Sequence, residues 1–254
     1  MTTLTLLTRI NTDYQLKQID KALKLAFKGL ETEAKILGIA ADKWVQIDLA
    51  GEDEKIATNY VIKEIGLCPR NLENVKKLST LNGYISKLEK NGEELSIDVG
   101  VFEPESVNAT VPLRRLQAQL VGGRNFALGK IAELFGFCKD LPLNIKVICI
   151  KEKESCIEAE LSSSQIRKYT VWQESLLDRL LVLGSSFHEI NLTLEHAKLD
   201  RDVIGVESLG LLENALTCKL GTDAAGLIPR IGRNLKNAKF VVFNPKRLRE
   251  FLKI

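Results

Sequence analysis

Side chains that hold metals are scarce in this chain. His188 and His196 are its only histidines, and eight residues on one predicted helix put about two turns between them, too far to share an ion. The cysteines, Cys68, Cys138, Cys149, Cys156 and Cys218, are odd in number and never spaced as CxxC. That excludes a disulfide framework and a zinc ribbon and leaves free thiols, expected to be buried. No apolar run approaches the roughly 20 residues a membrane helix needs. The first residues, Met-Thr-Thr-Leu-Thr-Leu-Leu-Thr-Arg, lack the charged start and long apolar middle of a secretory signal, so a cytoplasmic protein without a membrane partner is expected. Nucleophile and base sets are also missing. Ser185 and Ser186 precede His188 but read as a helix cap, Glu93 and Glu94 as hairpin solvation, and Glu158 with Glu160 as an exposed pair on one strand face. No catalytic residue, metal or cofactor is assigned.

Positive charge is concentrated at one end. Between positions 219 and 254, Lys219, Arg230, Arg233, Lys236, Lys239, Lys246, Arg247, Arg249 and Lys253 face only Asp223 and Glu250, a local +7 that leaves −4 for the rest of a chain whose net charge is +3. Such a segment attracts phosphates without reading base edges, or else forms a solvated face. It opens on the loop Gly221-Thr222-Asp223-Ala-Ala-Gly226. The glycines allow a tight turn and the start of the following helix offers free amides to an anion, with Lys219 and Arg230 placed to close on it. The plainer reading is a strand-to-helix turn in which Asp223 takes those amides itself. No GK[ST] follows, so this is not a Walker loop.

With 254 residues, 45% of them apolar and 27% charged, the chain can bury more than one core, and an α+β protein of three units is predicted. Residues 1–78 read as strand, helix, strand, helix: an alternating Thr3 to Leu7, a helical pattern on Leu16, Ile19, Leu23 and Phe27, a strand at 43–50, and a helix whose inner face carries Ile56, Tyr60, Val61 and Ile65. That is an α/β layer with helices on one face. Residues 79–171 read mainly as strands, with a hairpin at Asn91-Gly92, an element beginning at Val111-Pro112-Leu113, a helix over 127–137 and a second hairpin from 143 to 161. About five strands with a helix between the third and fourth suit a small OB-type barrel. Residues 172–254 run strand-helix-strand-strand-helix-strand into a basic ending, the ferredoxin-like βαββαβ order.

The middle region carries Gly83-x-Ile85, Ile97-Asp-Val-Gly100, Val111-Pro-Leu113, Lys146-Val-Ile-x-Ile150 and Glu160-Leu-Ser162 in that order, and it resembles an S1-type barrel, an OB variant of RNA-associated proteins. The resemblance implies bases stacked on aromatic side chains of the second and third strands. Here only Tyr84 and Phe102 could serve, and Phe102 sits late, so a barrel kept as a packing module is an equal expectation. Arg114 and Arg115, with Lys87 and Arg124, border its open side as a phosphate track or as ion-pair partners of nearby acids.

Three further segments, Asp178-Arg-Leu-Leu-Val-Leu-Gly184, Arg201-Asp-Val-Ile-x-Val-Glu-x-Leu-Gly-x-Leu-Glu-x-Ala-Leu216 and Cys218-Lys-Leu-Gly-Thr-Asp-Ala-Ala-Gly-Leu-Ile-Pro229, resemble an archaeal family defined only by domain of unknown function 2110. The resemblance implies an archaeal cytoplasmic protein of transcription or RNA metabolism and transfers no catalytic residue. The expectation is a non-catalytic nucleic-acid-binding protein, RNA or a ribonucleoprotein being the partner. Lys219, Arg230, Arg233, Lys236, Lys239, Lys246, Arg247, Arg249, Arg114, Arg115, Lys87 and Tyr84 would be its contacts. An adaptor that docks a protein of the transcription or translation machinery is the first alternative. A regulatory module with a small anion at Gly221, Thr222, Asp223 and Gly226 is the second.

Overall fold

The computed structural model describes residues 2–41, 43–151 and 156–253. Strands β1 (Thr2–Arg9), β2 (Thr32–Ala40) and β3 (Trp44–Gly51) form an antiparallel sheet with β3 in the middle. Its inner face, Val45, Ile47 and Leu49 of β3 with Leu6 of β1, buries against Ile19 and Leu23 of α1 (Asp13–Ala26) and Phe27, its C-cap. Ala57 of α2 (Glu54–Tyr60) and Val61 of the π-turn that follows complete this core.

Two expectations for this region change. The strand β2 was not foreseen, because Leu37 and Ile39 point outward with Glu33 and Lys35 and blur the alternation of apolar and polar positions. In α2 and the π-turn the buried positions are Ala57 and Val61, while Ile56 and Tyr60 remain exposed. The small residue, not the large ones, lets the helix approach the sheet closely.

The middle region closes into a five-stranded barrel. Strands β5 (Thr80–Lys87), β6 (Glu94–Glu103), β7 (Val107–Pro112), β9 (Cys156–Leu161) and β8 (Pro142–Lys151) pair in that order and β8 returns to β5. The two-residue β4 (Arg70–Asn71) adds to β6 in parallel. Alternate residues point inward, so Ile85, Leu95, Ile97, Ala109, Val111, Leu143, Ile145, Val147, Ile157 and Leu161 fill the interior. Each buried Val, Leu or Ile side chain among them contributes about 1.5–3 kcal/mol on burial. Val111 and Pro112 end β7 instead of opening an element, and Leu113 starts the unforeseen α3 (Leu113–Val121). Gly122, left-handed at φ +63°, stops that helix before α4 (Leu128–Phe135). The helix α5 (Ser163–Glu174), capped by Ser162, leads out of the barrel.

The C-terminal region runs β10 (Arg179–Leu183), α6 (Phe187–His196), β11 (Val203–Ser208), β12 (Glu213–Cys218), α7 (Ala224–Ile231), β13 (Lys239–Phe243) and α8 (Pro245–Leu252). The strands form one antiparallel sheet in the order β11-β12-β10-β13. Two cores use it. Leu180, Val182 and Leu216 face Ile190 and Leu194 of α6 and Leu227 and Ile231 of α7. The intervening Leu181, Leu183, Ala215 and Phe243 face the other way and join Leu248 and Leu252 of α8, Tyr169 and Trp172 of α5, and the barrel in one continuous core. The basic ending is therefore a helix, with Asn244 as its cap and Pro245 in its first turn. All five cysteines are free, and only Cys68 and Cys218 are buried. Among the described residues no helix is long and apolar enough to cross a membrane.

Candidate functional site

The cations of the last 36 positions do not share one surface. Because α7 packs on the Leu180–Val182 face of the sheet and α8 on the Leu181–Leu183 face, the sheet lies between Arg230 and Arg233 on one side and Lys246, Arg247, Arg249 and Lys253 on the other. Lys219 ends the C-terminal side of β12, and Lys236 and Lys239 lie at the β13 edge. The expected single patch divides in two. Several members are also neutralised: Arg230 pairs with Asp202 at 2.7 Å, Arg247 with Glu133 of α4, and Lys239 with Asp140 at 3.6 Å.

On α8 the arrangement is more favourable. Lys246 and Arg249 are spaced i and i+3 on the helix, Lys253 is the left-handed residue just past its end, and among the described residues none of them forms an ion pair. On the opposite flank of α8 Arg247 and Phe251 face α4. The Phe251 ring, 36% exposed, packs on Phe126 with centroids 5.0 Å apart, and the Lys130 ammonium sits 4.7 Å above it. Arg124 Nη1 donates to the Leu252 carbonyl at 2.6 Å, fixing the last turn of α8 to the loop before α4. Lys90 reaches the same edge, its carbonyl accepting from Gly129 at 2.8 Å. Phe126, Phe251, Arg124, Lys130 and Lys90 were not assigned to this face from sequence. The i, i+4 pair Arg247 and Phe251 was the available signal, but it needs α8 to be recognised as a helix.

The barrel contacts come out differently from expectation. Tyr84 points outward from the barrel, but it is 2% exposed because Trp44 and Leu7 of the N-terminal sheet cover it, with the Trp44 ring centroid 5.9 Å away. A ring covered this way has no free face for a base. Arg115 forks onto Glu158 and Glu160 of β9, both at 3.1 Å, and Lys87 holds Glu89 at 2.6 Å, so both act as ion-pair partners. Arg114 is exposed.

The Gly221–Gly226 loop is also closed to anions by its own carboxylates. Asp223 Oδ1 accepts from the Ala225 amide at 3.1 Å and Asp178 Oδ2 from the Ala224 amide at 3.4 Å. Thr222 and Gly226 turn their amides to the carbonyls of Lys219 and Asp223. Burial, with Asp223 nearby, raises the Asp178 pKa above its ordinary value. Two carboxylates at one helix start repel a further anion.

A polar junction lies where the three regions meet. Tyr84 Oη is 3.2 Å from the Leu7 carbonyl and 3.2 Å from Glu213 Oε2. Arg9, 4% exposed, lies between Asp98 (3.8 Å) and Asp140 (3.7 Å), with its guanidinium over the Trp44 and Tyr84 rings at 5.6 and 5.9 Å. Burial pushes the Glu213 carboxyl up to about 8, so it is largely protonated at neutral pH. Neither Arg9 nor Glu213 was singled out from sequence. An acid inside the apolar run Leu211 to Leu216 was the visible sign. Among the described residues no group of three or more His, Cys, Asp or Glu side chains is placed to hold a metal.

No curated protein matches the chain. Among solved structures, the uncharacterized protein MJ1198 from Methanocaldococcus jannaschii is similar over 35% of this chain and 95% of its own, at 12% identity and a TM-score of 0.25, too low to carry an argument. Three family models match in series: the DUF2110 N-terminal domain over residues 3–71, the central domain over 75–173 and the C-terminal domain over 177–243. Together they span nearly the whole sequence, and the chain belongs to the DUF2110 family.

Proposed function

We propose that this chain is a non-catalytic RNA-binding protein of archaeal information processing that holds single-stranded RNA on the α8–α4 face. Its units are an N-terminal α/β layer, an OB/S1-like barrel and a ferredoxin-like C-terminal unit. The barrel order β5-β6-β7-β9-β8 and the sheet order β11-β12-β10-β13 support those two assignments. One observation carries the functional reading: an exposed aromatic ring, Phe251, stands on the same short helix as Lys246 and Arg249, with Lys253 just past its end, and among the described residues none of these cations is in an ion pair. Phosphates meet the cations while a base stacks on the ring, a contact worth about 1–3 kcal/mol. Lys90, whose carbonyl meets the start of α4, extends the positive edge.

The test is fluorescence anisotropy of a labelled oligouridine against rising salt. Binding weakens with a log–log slope of roughly −0.7 per phosphate contact. Reversing Lys246, Arg249 and Lys253 together to Glu abolishes it, and Phe251→Ala weakens it while leaving the salt slope in place. Equal affinity of the charge-reversed variant defeats the reading.

A protein-docking role is favoured by a separate feature. A 530 Å³ groove between α1, the π-turn and α6 exposes Leu25, Tyr60 and Phe187. A partner that stays bound after ribonuclease treatment and is lost on Phe187→Asp would support that role.

A further inference from the structure

A 230 Å³ cavity opens at the three-way junction. Its floor is Arg9, Gln15, Tyr84, Leu183 and Glu213, and its mouth carries Asn11, Thr12, Asn237 and Lys239 beside Asp140. Strand register explains the convergence. Glu213, Leu183 and Lys239 are direct neighbours across β12, β10 and β13, and Arg9 lies opposite Trp44 across β1 and β3.

The floor is not satisfied from within. Arg9 Nε and Nη1 are buried with no hydrogen-bond acceptor, although the rings of Trp44 and Tyr84 hold the guanidinium in place. Asp140 Oδ1, 3.7 Å from Nη1, is likewise buried without a donor. Buried guanidinium and carboxylate groups nearly always find partners, so an unmet donor pair and an unmet acceptor at one cavity define what would complete it. The missing group offers acceptor oxygens to Arg9 and a donor hydrogen to Asp140.

Charge narrows the class. Arg9 and Lys239 are balanced by Asp98 and Asp140, while Glu213, protonated, adds a donor without adding charge. A simple anion would upset that balance, and a net-neutral ligand with one anionic and one cationic end would keep it. The cavity is smaller than the roughly 300–1,000 Å³ of ordinary ligand sites, which excludes a nucleotide.

We propose that this junction cavity binds a small zwitterion of the α-amino-acid class, its carboxylate on Arg9 toward Lys239 and its ammonium on Asp140. Because all three regions line the cavity, occupancy would tighten their mutual packing. The site is separate from the α8–α4 face.

The probe is glycine, which carries only the two groups that Arg9 and Asp140 require. Titration of the full chain with glycine is expected to raise the melting temperature saturably and to move the amide resonances of Gly184, Asn237 and Lys239. Acetate and methylammonium, each with one of the two groups, leave both readouts unchanged at the same concentrations. Asp140→Asn and Lys239→Gln each weaken glycine at least tenfold, and Lys28→Gln, far from the cavity, does not. The wild-type titration needs no variant to fold. Absence of a glycine response up to high millimolar concentration overturns the proposal, and so does an equal response to acetate, which would make this a plain anion site.

Discussion

The Tyr84 hydroxyl lies 3.2 Å from the Glu213 carboxyl, a buried contact that joins the barrel to the C-terminal sheet. The same hydroxyl is 3.2 Å from the Leu7 carbonyl, which can only accept. Tyr84 is the donor to both, its single proton shared between the Leu7 carbonyl and the Glu213 carboxyl. The chain Glu213, Tyr84, Leu7 therefore ties the C-terminal sheet, the barrel and the N-terminal sheet together. Tyr84→Phe takes the hydroxyl donor away from a buried carboxyl and a buried carbonyl, at an expected cost of about 1–3 kcal/mol. Urea unfolding at neutral pH reads this as a lower midpoint, and a midpoint equal to wild type would show that the tie is not formed.

A pH dependence follows from the same carboxyl. Burial is the main cause that raises its folded pKa from 4.5 to about 8, with Asp140 adding to it and Tyr84, the Leu212 amide and Arg9 opposing. Below pH 4.5 both folded and unfolded states hold the proton, and the stabilisation is fully present. From there to about 8 only the folded state holds it, so stability falls with rising pH by at most about 1.4 kcal/mol per unit. Glu213→Gln should remove that slope. Denaturation series at pH 5, 6, 7 and 8 compare the two proteins, and parallel pH profiles would contradict the assignment.

Asp223 acts as a helix cap. Asp223→Ala should cost about 1 kcal/mol of stability, as the loss of an N-cap does. It should not create phosphate binding, because Asp178 still holds the Ala224 amide. Thermal unfolding with and without phosphate checks both parts.

Arg115 is the structural counterpart on the barrel. Replacing it with Met leaves Glu158 and Glu160 facing each other without a cation, and a loss of about 1 kcal/mol is expected for this partly buried fork. Affinity for oligouridine should stay at the wild-type value, since the guanidinium charge is already met by the two carboxylates. A parallel loss of RNA affinity would return Arg115 to the interface.

Periodicity made most strands legible. The alternation in β1, β3, β5, β6 and β8, the Asn91-Gly92 turn and the apolar runs of β10 and β12 each identify a strand without tertiary information. It failed where tertiary packing overrides pattern. Leu37 and Ile39 hide β2, a proline within Val111-Pro-Leu113 hides the junction of β7 with α3, and basic residues hide the amphipathic α8. The charge cluster was legible as a count, but its division by the sheet was not, because adjacent residues of β10 serve opposite faces. Arg9, Tyr84, Asp140 and Glu213 are far apart in sequence, and no local rule brings them together.

That two-sided use of β10 limits how the molecule can be dissected. A fragment cut at the start of the C-terminal family domain would carry Leu181, Leu183, Ala215 and Phe243 of the sheet and Leu248 and Leu252 of α8 without α5 and the barrel that share their core. Expressed alone, such a piece is a sticky half-structure prone to self-association, so the three family domains are best treated as one unit of inheritance and of manufacture.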